Sequence, residues 1–214
     1  MIRLMFSGII HHVGRVCERR ETPSGLRLVI ESSGWGRRID LGESIAVNGC
    51  CLTVAEIGAG PESFIRVSFD VIPQTLRMTT LGELRTDSRV NLEGSVTADT
   101  LLSGHIVQGH VDATGDVGEI LQKQGEHRVR INTAREYMEL VVDKGSIAVN
   151  GVSLTVAETG PDWFEVALIP TTLRLTTLGE LKTGMRVNLE SDCLARMVVN
   201  FLKRSEIGKA GFVR

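Results

Sequence analysis

The chain has 214 residues, with 24 Lys and Arg against 26 Asp and Glu and a formal net charge of −2. A balance this close to neutral offers no field to draw in nucleic acid or an anionic membrane, and no run of about 18 apolar residues is present to span a bilayer. The opening MIRLMFSGII lacks the length and cleavage pattern of a signal peptide, so a cytoplasmic location is expected.

In chain order, segments 26–31, 44–48, 52–56, 64–71 and 89–92 are rich in Val, Ile, Leu and Phe with polar alternation, and read as strands. Asn48-Gly49 lies between two apolar runs, a strong hairpin signal. Residues 75–84 place Thr and Leu at loosely helical spacing, which predicts a short helix or turn between strands. The same order then recurs. Residues 44–56 (SIAVNGCCLTVAE) and 146–158 (SIAVNGVSLTVAE) agree at 11 of 13 positions. Residues 72–84 (IPQTLRMTTLGEL) return at 169–181 (IPTTLRLTTLGEL), and RVNLE at 89–93 returns at 186–190. A period near one hundred residues is too long for a solenoid and long enough for each copy to build its own small core. Few aromatics, no long helix and about six short strands per copy favour closed barrels, which leave no strand edge.

The expected fold is therefore all-β: two tandem homologous six-stranded antiparallel barrels plus a C-terminal α-helix. The expected domains are 1–98, 99–191 and a helical tail at 192–214. In that tail Leu194, Met197, Val198, Phe201 and Leu202 recur at helical spacing behind Asp192, a good N-cap. The helix has no counterpart in the first copy, and a stripe this apolar must be buried, either on its own barrel or, the favoured reading, on copies of itself in an oligomer. The four cysteines, Cys17, Cys50, Cys51 and Cys193, show no zinc spacing, and Cys17, Cys50 and Cys193 read as small buried hydrophobes.

Positions that hold a frame stay alike in both copies, while positions with different tasks diverge. Thr53 and Thr155 agree, as do Thr75 and Thr172. Cys51 faces Ser153, Asp70 faces Ala167, Ser95 faces Asp192 and Gly42 faces Lys144. Matching Phe6-Ser7-Gly8-Ile9 to Leu102-Ser103-Gly104-His105 adds Ile9 opposite His105 and makes 107–111 an insertion. His105, His110 and Asp112 have no established metal-ligand spacing, and no metal is expected. Glycines beside these histidines suit close approach of backbone to a flat ligand. His11 and His12 read as a solvated strand end.

MFSGI at 5–9, NGCCLTV at 48–54, SGHIVQGHVD at 103–112, KGSIAVNGVSLTV at 144–156 and the two TLGEL segments resemble riboflavin synthase, over residues 5–201. The resemblance implies lumazine-binding barrels in Greek-key order. It implies a homotrimer held by C-terminal helices, with each active site between subunits, and association with lumazine synthase as a further partner. The implied reaction is a dismutation. Two molecules of 6,7-dimethyl-8-ribityllumazine give riboflavin and 5-amino-6-(D-ribitylamino)uracil by transfer of a four-carbon unit, with no cofactor.

Carried over by position, the N-terminal pocket takes Gly8, Ile9 and Ile10, then Cys51, Leu52 and Thr53, then Asp70, Val71, Ile72, Pro73, Gln74 and Thr75. The C-terminal pocket takes Gly104, His105 and Ile106, then Lys144, then Ser153, Leu154 and Thr155, then Leu168, Ile169, Pro170, Thr171, Thr172 and Leu173. Ser153, Asp192, Cys51 and His105 stand nearest the chemistry. Two departures are Ser7, where the family usually has Thr, and the additional residues 1–4. A flavin reductase would need a GxGxxG nucleotide domain, which is absent from the sequence. Binding proteins with the same frame lose the hydroxyl-rich motif, whereas Ser153, Thr155, Lys144, His105 and Asp192 are all present here.

Overall fold

The structure is a computed structural model and describes residues 5–61, 63–123 and 125–205. The expectations for residues 1–4 and for the tail beyond 205 lie outside the described residues. The first copy runs β1 (His12–Thr22), β2 (Gly25–Ser32), β3 (Ser44–Val47), β4 (Cys50–Ala59), β5 (Ile65–Val71), α1 (Pro73–Met78), a 3-10 turn (Thr80–Glu83) and β6 (Arg89–Gly94). The second runs β7 (Ala113–Lys123), β8 (Glu126–Asn132), a 3-10 turn (Tyr137–Leu140), β9 (Ser146–Val149), β10 (Val152–Thr159), β11 (Trp163–Leu168), α2 (Pro170–Leu175), a 3-10 turn (Thr177–Glu180) and β12 (Arg186–Ser191). Helix α3 (Cys193–Arg204) follows. No helix among the described residues is long and apolar enough to cross a membrane.

Each copy closes into an antiparallel barrel of order β1-β2-β5-β4-β3-β6, and the second copy repeats that circuit. The Asn-Gly turns behave as read. Asn48 and Gly49 have φ of 45° and 76°, and Asn150 and Gly151 have φ of 45° and 79°. Two consecutive left-handed residues match the twist of the strands they join. Bulges between Val16 and Glu18 and between Val54 and Glu56 recur at Val117/Glu119 and Val156/Glu158, which bends the long strands around the barrel. The interiors conserve volume: Val67 and Phe69 inside the first barrel become Phe164 and Val166 inside the second. Strand β1 was missed from sequence because its outer half is charged (ERRET) and only Gly14 and Val16 are buried along its start. The segment read as a short helix or turn at 75–84 holds both: α1 and a 3-10 turn, separated at Thr79, whose hydroxyl accepts from the Leu81 N–H.

The barrels exchange their leading segments. Phe6 pairs with Val107 in an antiparallel bridge, and the two pack with Ala46 and Ala148 between the barrels. Beyond that bridge, Ile10 enters the core of the second barrel, and Val111 packs on the core of the first. The copies therefore match Phe6 to Val107, Gly8 to Gly109 and Ile10 to Val111. This corrects the match of 6–9 to 102–105, and residues 107–111 are no insertion. The shared Ser-Gly dipeptide misled the alignment. What the copies have in common is a left-handed glycine, with φ of 75° at Gly8 and 77° at Gly109. Ile9 consequently corresponds to His110, and the position equivalent to His105 is residue 4, outside the described residues.

An asparagine network joins the barrels about the same pseudo-two-fold. Asn91 Nδ2 donates to the Asn150 carbonyl at 2.9 Å, and Asn188 Nδ2 donates to the Asn48 carbonyl at 2.8 Å. Asn188 Oδ1 accepts from the Thr80 N–H at 2.7 Å, and Asn91 Oδ1 accepts from the Thr177 N–H at 2.8 Å. Asn48 and Asn150 in turn accept from the N–H groups of Asn91 and Asn188. All four asparagines are buried, so each amide satisfies backbone groups that no strand ladder reaches.

Candidate functional site

Strand alternation decides which of the expected site residues face outward. Along β10, Val152, Leu154 and Val156 are buried, so Ser153 and Thr155 lie on the outer face. Along β4, Cys50, Leu52 and Val54 point inward, leaving Cys51 and Thr53 outside. Leu52, Leu154, Val71 and Leu168 are core residues, and only their backbones can serve a pocket. Ile72 and Ile169 are exposed just before the Pro that opens α1 and α2. Gln74 and Thr171 are also exposed, while Thr75, Thr172 and Leu173 are half-buried.

Ser153 is the most elaborated position. Its Oγ lies 2.7 Å from His105 Nδ1, and its N–H donates to the Gly8 carbonyl at 2.8 Å. The His105 N–H donates to the Ser7 carbonyl at 3.2 Å. Glycine is required on both sides. A Cβ at Gly8 would stand 2.6 Å from Ser153 Cβ, and one at Gly104 would stand 2.1 Å from the Ser7 carbonyl oxygen. Burial pushes the His105 imidazole below its usual value, and the negative charge of Asp192 opposes that shift. Asp192 also caps α3, its carboxylate accepting from the Leu194 N–H at 2.9 Å. Ser153, His105 and Asp192 thus gather at one place, where Gly8 joins them from the other copy's leading segment.

Cys51 occupies the related position on the first barrel and is served by the opposite crossover. Its N–H donates to the Gly109 carbonyl at 2.8 Å, and a Cβ on Gly109 would come within 2.6 Å of Cys51 Cβ. Gly8 was expected beside Cys51; the exchange of leading segments sets it against Ser153 instead. Burial pushes the Cys51 thiol up, and a hydrogen bond with Ser44 opposes that shift. Cys50, deeper still, is pushed up to about 12 by burial. Burial thus favours the neutral thiol over the thiolate at both positions.

Three further positions behave differently from one another. Asp70 is clamped by Arg27, with Nε to Oδ1 and Nη2 to Oδ2 both at 2.8 Å, which holds its carboxyl below the usual range. It belongs to a surface ion-pair network that also includes Glu56. Lys144 adopts φ of 60° where its counterpart Gly42 has φ of 79°. A lysine in this region is costly relative to glycine, and its exposed amine donates to the Ala157 carbonyl. Asp112 turns to the Ser191 hydroxyl at 2.7 Å and to Arg196, away from any shared role with His105. His12 opens β1 and stacks on Trp35 at 4.4 Å rather than ending a strand in solvent.

The residues that sequence reasoning missed are Glu93, Glu190 and Gly109. The repeated RVNLE held the signal for the glutamates: strand-end carboxylates with 1% and 2% exposure, identical in both copies.

The lumazine binding domain matches this chain twice, at residues 7–95 and 108–192. Riboflavin synthase of Mycobacterium tuberculosis (strain ATCC 25618 / H37Rv) is 45% identical over 202 residues, covering 93% of this chain and 98% of that relative. This chain belongs to the riboflavin synthase family. The riboflavin synthases of Escherichia coli K12 and Bacillus subtilis 168 are 37% and 34% identical, over 94% and 96% of this chain and 92% and 93% of theirs. Among solved structures, LumP complexed with 6,7-dimethyl-8-(1'-D-ribityl) lumazine superposes with a TM-score of 0.73 at 25% identity, over 87% of this chain and 99% of that one. LumP complexed with riboflavin gives 0.73 at 26% identity, with the same coverage. As a member of this family with the lumazine binding domain present twice, the chain is an enzyme of riboflavin biosynthesis, acting by lumazine dismutation.

Proposed function

We propose that each barrel holds one 6,7-dimethyl-8-ribityllumazine and that the pair reacts with Ser153, His105, Asp192 and Cys51 nearest the exchanging carbons. The observation that carries this is the 2.7 Å contact between Ser153 Oγ and His105 Nδ1 beside Asp192. One molecule donates a four-carbon unit and leaves as 5-amino-6-(D-ribitylamino)uracil; the other accepts it and becomes riboflavin. The exchange is balanced between two identical molecules, so the chemistry calls for no outside oxidant or reductant. Holding them face to face supplies up to about 7–11 kcal/mol by orientation alone.

The 7-methyl of one lumazine is acidic because its anion spreads into the ring system, so a modest base suffices. Burial keeps His105 neutral, and a proton can lie on either side of its bond to Ser153. That pair is suited to take a proton from, or give one to, a nucleophile adding at the ring of the second lumazine. Thr53, Thr155 and Lys144 line the outer faces of the same strands and their flanking turns. The stretches 70–75 and 168–173 complete the two pockets.

In this reading the working site forms between the N-terminal barrel of one subunit and the C-terminal barrel of its neighbour. The assembly is a homotrimer held through α3. Leu194, Met197, Val198 and Phe201 are each more than half exposed on that helix in a single chain, and burying them is worth about 1.5–3 kcal/mol per side chain. The enzyme is placed in the cytoplasm, with lumazine synthase as a partner that would supply its substrate.

The deciding experiment is incubation with the dimethyl-ribityllumazine and nothing else. The expected result is one riboflavin and one pyrimidine product for every two lumazines consumed. Tight binding without turnover would refute this reading and leave a lumazine-binding protein.

A further inference from the structure

Two buried carboxylates, Glu93 and Glu190, are not paired with lysine or arginine in an ion pair among the described residues. Glu93 is the penultimate residue of β6 in the first barrel. Its Oε1 accepts from both the N–H and the hydroxyl of Ser7, each at 2.7 Å, and its Oε2 accepts from the Gly8 N–H at 2.9 Å. Glu190 is the penultimate residue of β12 in the second barrel. Its Oε1 accepts from the Gln108 N–H at 2.6 Å, and its Oε2 accepts from the N–H groups of Gly109 and His110 at 2.9 and 3.1 Å. Burying a carboxylate is expensive unless its lone pairs are met. Here each meets three donors of one short turn. The expense is incurred twice, at the same place in each copy.

The turns so gripped do not serve the barrel that grips them. Ser7 and Gly8, held by the first barrel, present their carbonyls to the N–H groups of His105 and Ser153 in the second. Gly109, held by the second barrel, presents its carbonyl to the N–H of Cys51 in the first. The glycines leave no slack, since an added Cβ at either would stand 2.6 Å from the side chain it faces. A small rotation of either turn is therefore transmitted to Ser153 or to Cys51.

We propose that Glu93 and Glu190 are crossed positioning residues: each barrel's glutamate sets the geometry of the reactive position on the other barrel. Neither glutamate touches substrate. Glu93 acts through Ser7 and Gly8 on the Ser153–His105 pair, and Glu190 acts through Gly109 on Cys51. The two pockets of one chain are thereby coupled, so damage at the strand end of one barrel appears at the opposite pocket. The catalytic part of this inference rests on the proposed roles of Ser153 and Cys51; the crossed coupling itself does not.

The test replaces each carboxylate in the full-length protein. In Glu93→Gln the amide that replaces one oxygen brings a donor against Ser7 or Gly8, so one end of the turn is released. Amide hydrogen exchange is read by NMR at Ser153 and Cys51. Glu93→Gln is expected to speed exchange at the Ser153 N–H by about tenfold or more and to leave Cys51 unchanged. Glu190→Gln should do the reverse. Turnover should fall by as much as about 10²-fold, with KM changed less than about twofold, because an orienting contact is lost rather than a binding one. Ser7→Ala deletes the hydroxyl's bond to Glu93 and the 3.3 Å bond it accepts from the Ile9 N–H, and it keeps both backbone N–H bonds to Glu93. It should shift the Ser153 amide in the same direction by less, and Glu93→Asp should restore part of the turnover.

Exchange that rises at the glutamate's own barrel, at both amides alike or at neither would overturn the crossed assignment. A crossed exchange pattern with unchanged turnover would overturn the positioning role. Failure of the unmodified chain to form riboflavin would instead overturn the reaction reading, which the amide pattern does not touch.

Discussion

Replacing Asn91 by alanine tests whether the asparagine network holds the barrels together. Asn91 is fully buried, at 0% exposure, and its side chain makes two bonds that both cross between barrels. Alanine leaves the Asn150 carbonyl and the Thr177 N–H without their partner. Each unmet buried backbone group costs about 1–3 kcal/mol, so the pair sums to about 2–6 kcal/mol. A cleft of about 450 Å³ is lined by Asn150 and Thr177, and water entering there would pull the loss to the lower part of that range, about 2–3 kcal/mol. Asn188→Ala should lose a similar amount by pseudo-symmetry. Asn91→Asp should lose more, since its carboxylate would face a carbonyl where an amide had donated. The assay is urea unfolding followed separately at Trp35 and Trp163, one tryptophan in each barrel, using variants that retain only one of them. The transitions should coincide in the parent and move lower and apart in Asn91→Ala. A loss below about 0.5 kcal/mol in both alanine variants, with the two tryptophans still unfolding together, would refute the reasoning.

Ser153→Ala is expected to lower kcat while largely keeping substrate affinity, and Cys51→Ser to lose less; steady-state kinetics with separate binding measurements compare the two. His105 is held below its ordinary value of 6.5 by burial. Its contribution to stability is therefore present above pH 6.5 and lost as pH falls through its depressed folded value, and His105→Gln should flatten that acid limb in urea midpoints. Glu190 is pushed up to about 7 by burial. Its contribution is full below its ordinary value of 4.5 and declines as pH rises through about 7, a slope that Glu190→Gln should remove and that stability measured across pH 4.5–7 will show. Truncation after Asp192 removes α3 together with the Arg196–Asp112 ion pair, and should leave folded barrels that sediment as monomers; a persisting trimer counts against assembly through this helix.

The barrels were legible because their determinants are local. Asn48-Gly49 and Asn150-Gly151 specify tight hairpins, and the flanking alternation of Val, Ile and Leu specifies an inner face. The amphipathic spacing after Asp192 was equally local, and the cap formed as read. Ser153, His105 and Asp192 stand out where the copies diverge and again through the resemblance, and the structure brings them together. The exchange of leading segments was not legible, because it depends on which barrel receives Ile10 and Val111, and either core offers an apolar berth. The matching Ser-Gly dipeptides at 7–8 and 103–104 then favoured the wrong alignment. Glu93 and Glu190 escaped notice because a glutamate closing a strand ordinarily faces solvent. Only backbone N–H groups arriving from a distant part of the chain make its burial tolerable.

The exchanged segments also bear on how the chain comes off the ribosome. The residues around Phe6 are made well before their berth on β10, which is among the last barrel strands to emerge. Until then the first half holds a leading arm without a receiver and an open berth beside Cys51. Two nascent first halves carry matching arms and berths, and each also has the Asn48 and Asn91 that complete the two-fold contact. Half-length products are thus expected to pair with one another in the same handclasp. Linking both halves in one polypeptide makes the proper receiver the nearest one, and it frees the two reactive positions to evolve apart while the clasp stays the same.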